Sequence, residues 1–169
     1  MNLELGTLNS IRGEGLIVNG TKVDGKSLRN KLESFFKDNA QNFGIDIAFL
    51  YGSWAVGSPR DDSDVDVAVW RSSALSSSDE AFAKITYLST RLSLLLNKEV
   101  NILILSPYFR EPMIEYNAIV LGTPVFIGSF DLYVKIRMEA ITQMEDFSIF
   151  GRRWQLEVAE KRLRERIHA

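Results

Sequence analysis

Between Ile45 and Trp70 the chain reads IDIAFLY, then GSWAVGSPRDDS, then DVDVAVW, and this order constrains the fold more than any other stretch. IDIAFLY is almost continuously apolar, the pattern of a strand covered on both faces and therefore central in its sheet. DVDVAVW alternates acid and aliphatic, the pattern of a second strand. Successive side chains on a strand point to opposite faces, so Asp64 and Asp66 share one face and Val65, Val67 and Val69 share the other. About a dozen residues with a short turn join the two runs. Neighbours in sequence pair by default, so these two strands are expected side by side.

The rest of the chain supplies what such strands pack against. Ser27 precedes LRNKLESFFKDNAQNF, where Leu28, Leu32, Phe35 and Phe36 recur at helical spacing, and Gly44 offers a stop. In SSALSSSDE, Ser77 or Ser78 caps a second helix, with Asp79 and Glu80 suiting its dipole. That helix is expected to run to about Asn97 through Phe82, Ile85, Leu88, Leu92 and Leu95. EVNILIL (99–105) reads as a third strand, Pro107 as the opening of a helix that ends near Gly122, and PVFI as a short strand. From Ser129 onward the pattern is helical, with a break expected around Gly151. Leu132, Ile136, Ala140, Met144 and Phe147 follow helical spacing there, a set suited to core packing. Before all this, LIVNGTKV places Asn19-Gly20 between two short apolar runs, a hairpin signal.

This order predicts an α/β (α+β) fold, a small mixed sheet with flanking helices. It divides into an N-terminal extension or hairpin (1–26), a core (27–128) and a C-terminal helical segment packed on that core (129–169). Composition agrees: 46 % hydrophobic and 25 % charged residues describe a globular chain rather than a disordered one. A net charge of −2 gives no basis for broad nucleic-acid binding. The absence of cysteine excludes disulfides and thiolate metal sites. The opening MNLELGTLNSIRGEG lacks the basic-then-apolar order of a secretion signal, and no apolar run approaches the ~20 residues of a membrane span. A cytoplasmic protein is expected.

The chemistry concentrates in the linking segment. Carboxylates two residues apart on a strand are separated by roughly 6.5–7 Å. At that distance they repel by about 2–2.5 kcal/mol at an effective dielectric near 20. A divalent cation between them reverses the sign, and an oxygen-only donor set favours a hard ion such as Mg²⁺. The bland alternative is a solvated acidic edge that discourages aggregation. Upstream, Gly52 lets backbone approach a phosphate and Ser53 offers a hydroxyl. A helical turn beginning at SWAVG would add amides to an anion site. A phosphate cradle before an acid pair is what metal-assisted phosphoryl or nucleotidyl transfer requires.

Gly52-Ser53, ten further residues, then Asp64-Val65-Asp66, with Gly57 and Ser63 between them, resembles the signature of the polymerase-β-like nucleotidyltransferase superfamily. The short chain is similar to its minimal nucleotidyltransferase (MNT) branch, over roughly residues 28 to 150. The resemblance implies a nucleotidyltransferase fold that moves a nucleoside monophosphate from a Mg²⁺-bound triphosphate, with ATP as substrate, to a hydroxyl. It implies Gly52, Ser53 and Ser63 on the nucleotide and Asp64 and Asp66 on the metal. Relatives include antibiotic adenylyltransferases and antitoxins that modify or bind a helical HEPN-type toxin.

The family's third carboxylate lies on the next strand, and in KEVNILIL that position holds Asn101. An asparagine is neutral and cannot act as a base. Nucleotide binding is therefore expected to outlast catalysis. Glu99, two residues earlier on the same face, is the candidate substitute, although a solvated strand-start residue is the commoner case. The readings are an AMP transferase weakened at Asn101, with a hydroxyl on a protein partner as acceptor, or an inactive antitoxin that neutralises a HEPN-type toxin by binding. Tyr51 and Trp54 could stack on a base, Trp70 could wall the pocket, and Arg60 and Arg71 could meet phosphate, though packing and solvated loops are the ordinary roles of such residues. His168, next to the end, is expected to be uninvolved. GRRWQLEVAEKRLRERIHA mixes six Lys/Arg with three Glu, suiting a surface helix that meets a partner protein.

Overall fold

The computed structural model describes residues 25–71 and 78–167. The hairpin expected around Asn19-Gly20, the cap Ser77 and the terminal His168 lie outside the described residues. Helix α1 (Gly25–Phe43) leads into strand β1 (Ile47–Tyr51), a 3₁₀ turn (Gly52–Trp54) and strand β2 (Val65–Trp70). Helix α2 (Ser78–Leu96), strand β3 (Val100–Leu105), helix α3 (Pro112–Tyr116), a π turn (Asn117–Leu121), strand β4 (Thr123–Ile127) and helix α4 (Phe130–Ile167) complete the order. The sheet runs β3-β2-β1-β4. β1 is antiparallel to both β2 and β4, and β2 is parallel to β3.

β1 is central, as its apolar run demands, and alternate residues feed two cores. Ala48 and Leu50 join Val65, Val67 and Val69 against Leu28, Leu32 and Phe36 of α1 and Leu88 and Leu92 of α2. Ile47 and Phe49 join Ala68 and Trp70 against Ile119 of the π turn and Ile136 and Ala140 of α4. Two helices thus cover one face of the sheet, and α4 with the π turn covers the other. Arg137 of α4 donates to the carbonyl of Ile119 at 3.0 Å, fastening those two elements together.

The helix stops are chemically explicit. Gly44 adopts φ 64°, its N–H donates to Gln41 O at 3.1 Å, and the next N–H, of Ile45, reaches back to Ala40 O at 2.9 Å. This pair of bonds ends a helix through a left-handed residue. Asn97 repeats the device after α2 with φ 52°, followed by Lys98 N–H to Ser93 O at 3.3 Å.

Two expectations need correction. Pro107 does not open a helix; it lies in a turn, and α3 begins at Pro112, where a missing N–H costs nothing in the first helical turn. No break occurs at Gly151: α4 is one helix of 38 residues. A helical glycine costs only about 1 kcal/mol against alanine, and the flanking arginines, leucine and glutamates are good helix formers. Only the first turns of α4 reach the core, and beyond them Phe147, Ile149, Phe150 and Leu156 are exposed. Among the described residues no helix is long and apolar enough to cross a membrane.

Glu115 of α3 is the one buried charged residue among those described, at 4 % exposure. Its carboxylate accepts the amide N–H of Glu111 at 3.4 Å. Burial pushes the Glu115 carboxyl above the usual glutamate range, and the Glu111 and Ser106 amides only partly offset this. A carboxyl whose folded pKa is raised stabilises the fold fully below its unfolded pKa and loses that stability as pH rises through the folded value. We predict that Glu115→Gln abolishes this contribution to the pH dependence. Thermal midpoints of wild type and variant should draw apart as pH rises from the usual glutamate range through the raised value, the wild type losing ground to the variant, and the gap should stay constant above it. Parallel curves across that range would show that Glu115 titrates as it does unfolded.

Candidate functional site

Register builds the site. Asp66 is paired with Tyr51 of β1 on one side and with Asn101 of β3 on the other. Asp64 stands one residue before β2, where the Val65 N–H donates to Glu99 O at 2.8 Å and anchors the strand's entry to β3. The Asn101 amide Nδ2 lies 3.5 Å from Asp64 Oδ2 and 3.4 Å from Asp66 Oδ1, bridging the two carboxylates through long, exposed hydrogen bonds. The structure therefore gathers Asp64, Asp66 and Asn101 into one cluster. Among the described residues no group of three His, Cys, Asp or Glu side chains forms a metal cage, so neither Glu99 nor a loop acid joins the pair.

Gly52 is required twice over. Its φ is 70°, in the left-handed region, and a Cβ there would run into the Asp66 carboxylate Oδ2, with Asp66 Cγ only 3.3 Å away. The missing side chain lets the acid lie against the backbone of the turn. The turn closes through Ala55 and Val56 N–H to Gly52 O at 3.2 and 3.3 Å and Ser58 N–H to Ser53 O at 3.1 Å. Ser53 is thereby held beside Gly52, partly exposed. Gly57 supplies the second positive φ, 77°, in open space.

The segment back to Asp64 is strapped to the body. Trp54 is buried, and its indole N–H donates to Ser63 O at 3.3 Å. Lys98 Nζ lies 5.1 Å from the centre of the Trp54 ring and donates to Asp61 O at 2.9 Å. The Ser63 hydroxyl accepts the Arg60 N–H at 2.8 Å, so it serves the loop's own turn. Trp54 and Trp70 are core residues, and Arg60 is exposed in the loop. Arg71 follows the end of β2 remote from Asp66. Tyr51, half-buried, faces the acids: burial first, and then the Asp66 charge, push its phenol above the ordinary tyrosine value, so it stays a neutral donor near pH 7.

Beside Asp66 opens a cleft of about 480 Å³. Tyr51, Gly52, Ala55 and Val56 line it from one side, and Ile114, Asn117 and Leu121 from α3 and the π turn line the other. Sequence spacing gives no sign of the second group. Those residues lie some fifty positions beyond Asp66 and meet it only because β4 returns the chain along β1. Lys98 was equally hidden, since a lysine after a helix end is an ordinary surface residue.

The two Gly52 constraints separate experimentally. Gly57→Ala should cost about 1 kcal/mol for its positive φ alone. Gly52→Ala should cost more, roughly 2–4 kcal/mol, because the strain adds to displacement of Asp66. Urea denaturation of both variants measures this, and equal losses would refute the close approach.

The family model described as "Polymerase beta, Nucleotidyltransferase" matches residues 30–129. No curated protein sequence matches the chain significantly. Among solved structures, a mutant of the MntA-HpeT toxin-antitoxin superposes with a TM-score of 0.60 at 16 % identity, covering 77 % of this chain and 97 % of that one. A toxin-antitoxin with AMP-PNP gives 0.59 at 18 % identity, covering 77 % and 97 %. A tri-AMPylated Shewanella oneidensis HEPN toxin in complex with MNT antitoxin gives 0.56 at 16 % identity, covering 79 % and 98 %. At such identities the likeness establishes a shared fold, while the family match spans more than half of the chain, including every residue of the acid cluster and its turn. The chain belongs to the polymerase beta nucleotidyltransferase family.

Proposed function

We propose that this protein binds ATP as its Mg²⁺ complex and transfers AMP slowly to a hydroxyl on a HEPN-type protein partner. The observation that carries the reading is the meeting of Gly52, Asp66 and Asn101: a turn that would take phosphate, an acid that would hold metal and a neutral amide where a third acid would stand. A pair of carboxylates, Asp64 exposed and Asp66 half-buried, with no imidazole or thiolate beside them suits a hard ion that keeps part of its water shell. Because Gly52 lacks a Cβ, the Asp66 carboxylate lies against the turn, so an ion held by Asp66 would sit beside the backbone that would meet the phosphates. Asp64 and Asp66 would hold the ion, with Gly52 and Ser53 on the phosphates. Bound there, Mg²⁺ supplies positive charge that draws in the triphosphate and polarises its α-phosphorus.

In the transfer, the acceptor oxygen forms a bond to the α-phosphorus, the bond from that phosphorus to the pyrophosphate oxygen breaks, and pyrophosphate leaves. The acceptor's proton must go to a base. Asn101 cannot take it, and the acids beside it would be occupied by the metal, so the proton would pass to water. General-base assistance is worth roughly 10²–10⁴-fold, which sets the scale of the loss. The partner assignment draws on the toxin-antitoxin complexes formed by the structural neighbours. The exposed Phe147, Ile149, Phe150 and Leu156 of α4 offer apolar surface for such a partner to cover. The binding-only antitoxin is the second reading, favoured by the Asn101 amide that already bridges both acids.

Two measurements decide between them. Mg²⁺ and ATP together at about a hundred times Kd should add close to 2.7 kcal/mol of stability, read as a rise in thermal midpoint. Asp64→Asn and Asp66→Asn should abolish the rise, and no rise in the wild type would remove the nucleotide from the function. With a HEPN-type partner as acceptor, Asn101→Asp should raise labelled-AMP transfer by about 10²-fold or more. A wild type that already matches the variant would show that the amide does not limit turnover.

A further inference from the structure

We infer that the cleft between the turn after β1 and the π turn seats the nucleobase, and that Asn117 selects which base is accepted. The inference rests on the nucleotide-binding reading above and adds to it the place and chemistry of the base. Position comes first. The cleft shares Gly52 and Asp66 with the phosphate turn and the acid pair, and it opens on the β1 side of Asp66. Asn101 stands on the opposite, β3 side. An acceptor hydroxyl must approach where its proton would be taken, at the third-acid position. The cleft is therefore on the nucleotide's own side of the site.

Its lining suits a flat, mostly apolar ring. Val56, Ile114 and Leu121 are 70, 43 and 60 % exposed. Aliphatic side chains left open around a concavity of this size are the usual walls of a small-molecule site. The far wall is built by the π turn, a rare geometry that recurs at functional sites. Within it Ala118 and Ile119 are fully buried in the core, which leaves Asn117 and Leu121 to face the cleft.

Asn117 then provides direction. Its amide makes no hydrogen bond among the described residues and stands in an otherwise aliphatic wall. An asparagine amide carries a donor and an acceptor side by side. It matches N6–H and N7 of adenine, whereas guanine presents two acceptors, O6 and N7, on that edge. ATP is accordingly preferred over GTP.

Calorimetric titration of the full chain with Mg²⁺ and ATP, GTP or inorganic tripolyphosphate tests this. The expected wild-type order is ATP about tenfold tighter than GTP, and both tighter than tripolyphosphate. Asn117→Ala should bring ATP down to GTP. Leu121→Ser should weaken ATP and GTP alike by several-fold and leave tripolyphosphate unchanged. Both substitutions fall at exposed positions, and an unchanged thermal midpoint confirms folding. Equal wild-type affinities for ATP and GTP, an ATP/GTP ratio unaltered by Asn117→Ala, or nucleotides no tighter than tripolyphosphate would each overturn the base assignment while the triphosphate site stands. Failure of all three ligands to bind would overturn the nucleotide reading itself, and this inference with it.

Discussion

The pairing of β2 with β1 on one side and β3 on the other is the constraint from which the site follows. It sets Tyr51, Asp66 and Asn101 in one row across the sheet, with Gly52 immediately after the first. Side chains alternate along a strand, so a slip of one residue would turn Asp66 into the core. The register is held by what lies beside it. Val65, Val67 and Val69 are wholly buried under α1 and α2, and Ala68 and Trp70 are packed under the π turn and α4. A slip would exchange these residues between faces and carry Asp64 and Asp66 under α1 and α2. Burying an unpaired carboxylate costs several kcal/mol, far more than any rearrangement of the loop could return. The apolar residues of β2 thus fix the acid, although none of them touches it.

Electrostatics then works within that frame. Two carboxylates held side by side at the surface repel, and the Asn101 amide is placed to donate toward both. A third acid in the same place would add like charge and demand a cation for relief. The Asn101 amide therefore stabilises the pair without adding charge to it. Gly52 acts differently, by absence: only the lack of a Cβ permits Asp66 to lie against the turn. The strap of Lys98 over Trp54, with its bond to Asp61 O, keeps the intervening loop against the body, so Asp64 is held from both directions.

What the sequence reveals is what is local or periodic. The two central strands, their pairing and the stop at Gly44 follow from alternation, helical spacing and neighbour pairing, whereas the place of Asn101 beside the acids is legible only through the resemblance to the nucleotidyltransferase superfamily. Other features do not. Pro107 and Pro112 are equally good helix openers by type, and only packing of the β3–α3 connection chooses the second. Gly151 reads as a break because propensity counts its cost without the neighbours that offset it. Trp54 and Trp70 read as candidate site residues by their proximity to the motif, yet the turn sends Trp54 inward, and Trp70, on the face of Asp66, is covered by the π turn and α4. The far wall of the cleft is invisible for a deeper reason. Ile114, Asn117 and Leu121 carry no chemistry-bearing pattern, and their relation to Asp66 exists only through the sheet order that brings the π turn over β1.

The sheet order also separates what the fold needs from what the chemistry needs. Asp66 sits on an interior strand, its backbone paired on both sides, and its neighbours Val65 and Val67 are fully buried. Asn101 sits on β3, the outer strand of the sheet, with its side chain in solvent, and farther along that strand Ile104 is 46 % exposed. Exchanging an exposed side chain on an outer strand changes stability by a few tenths of a kcal/mol in the usual case, whereas disturbing the interior strand costs several. Asn101 is thus the member of the row whose replacement disturbs the fold least. A fold built this way can carry an amide or a carboxylate at position 101 while its sheet, its acid pair and the turn at Gly52 remain as they are.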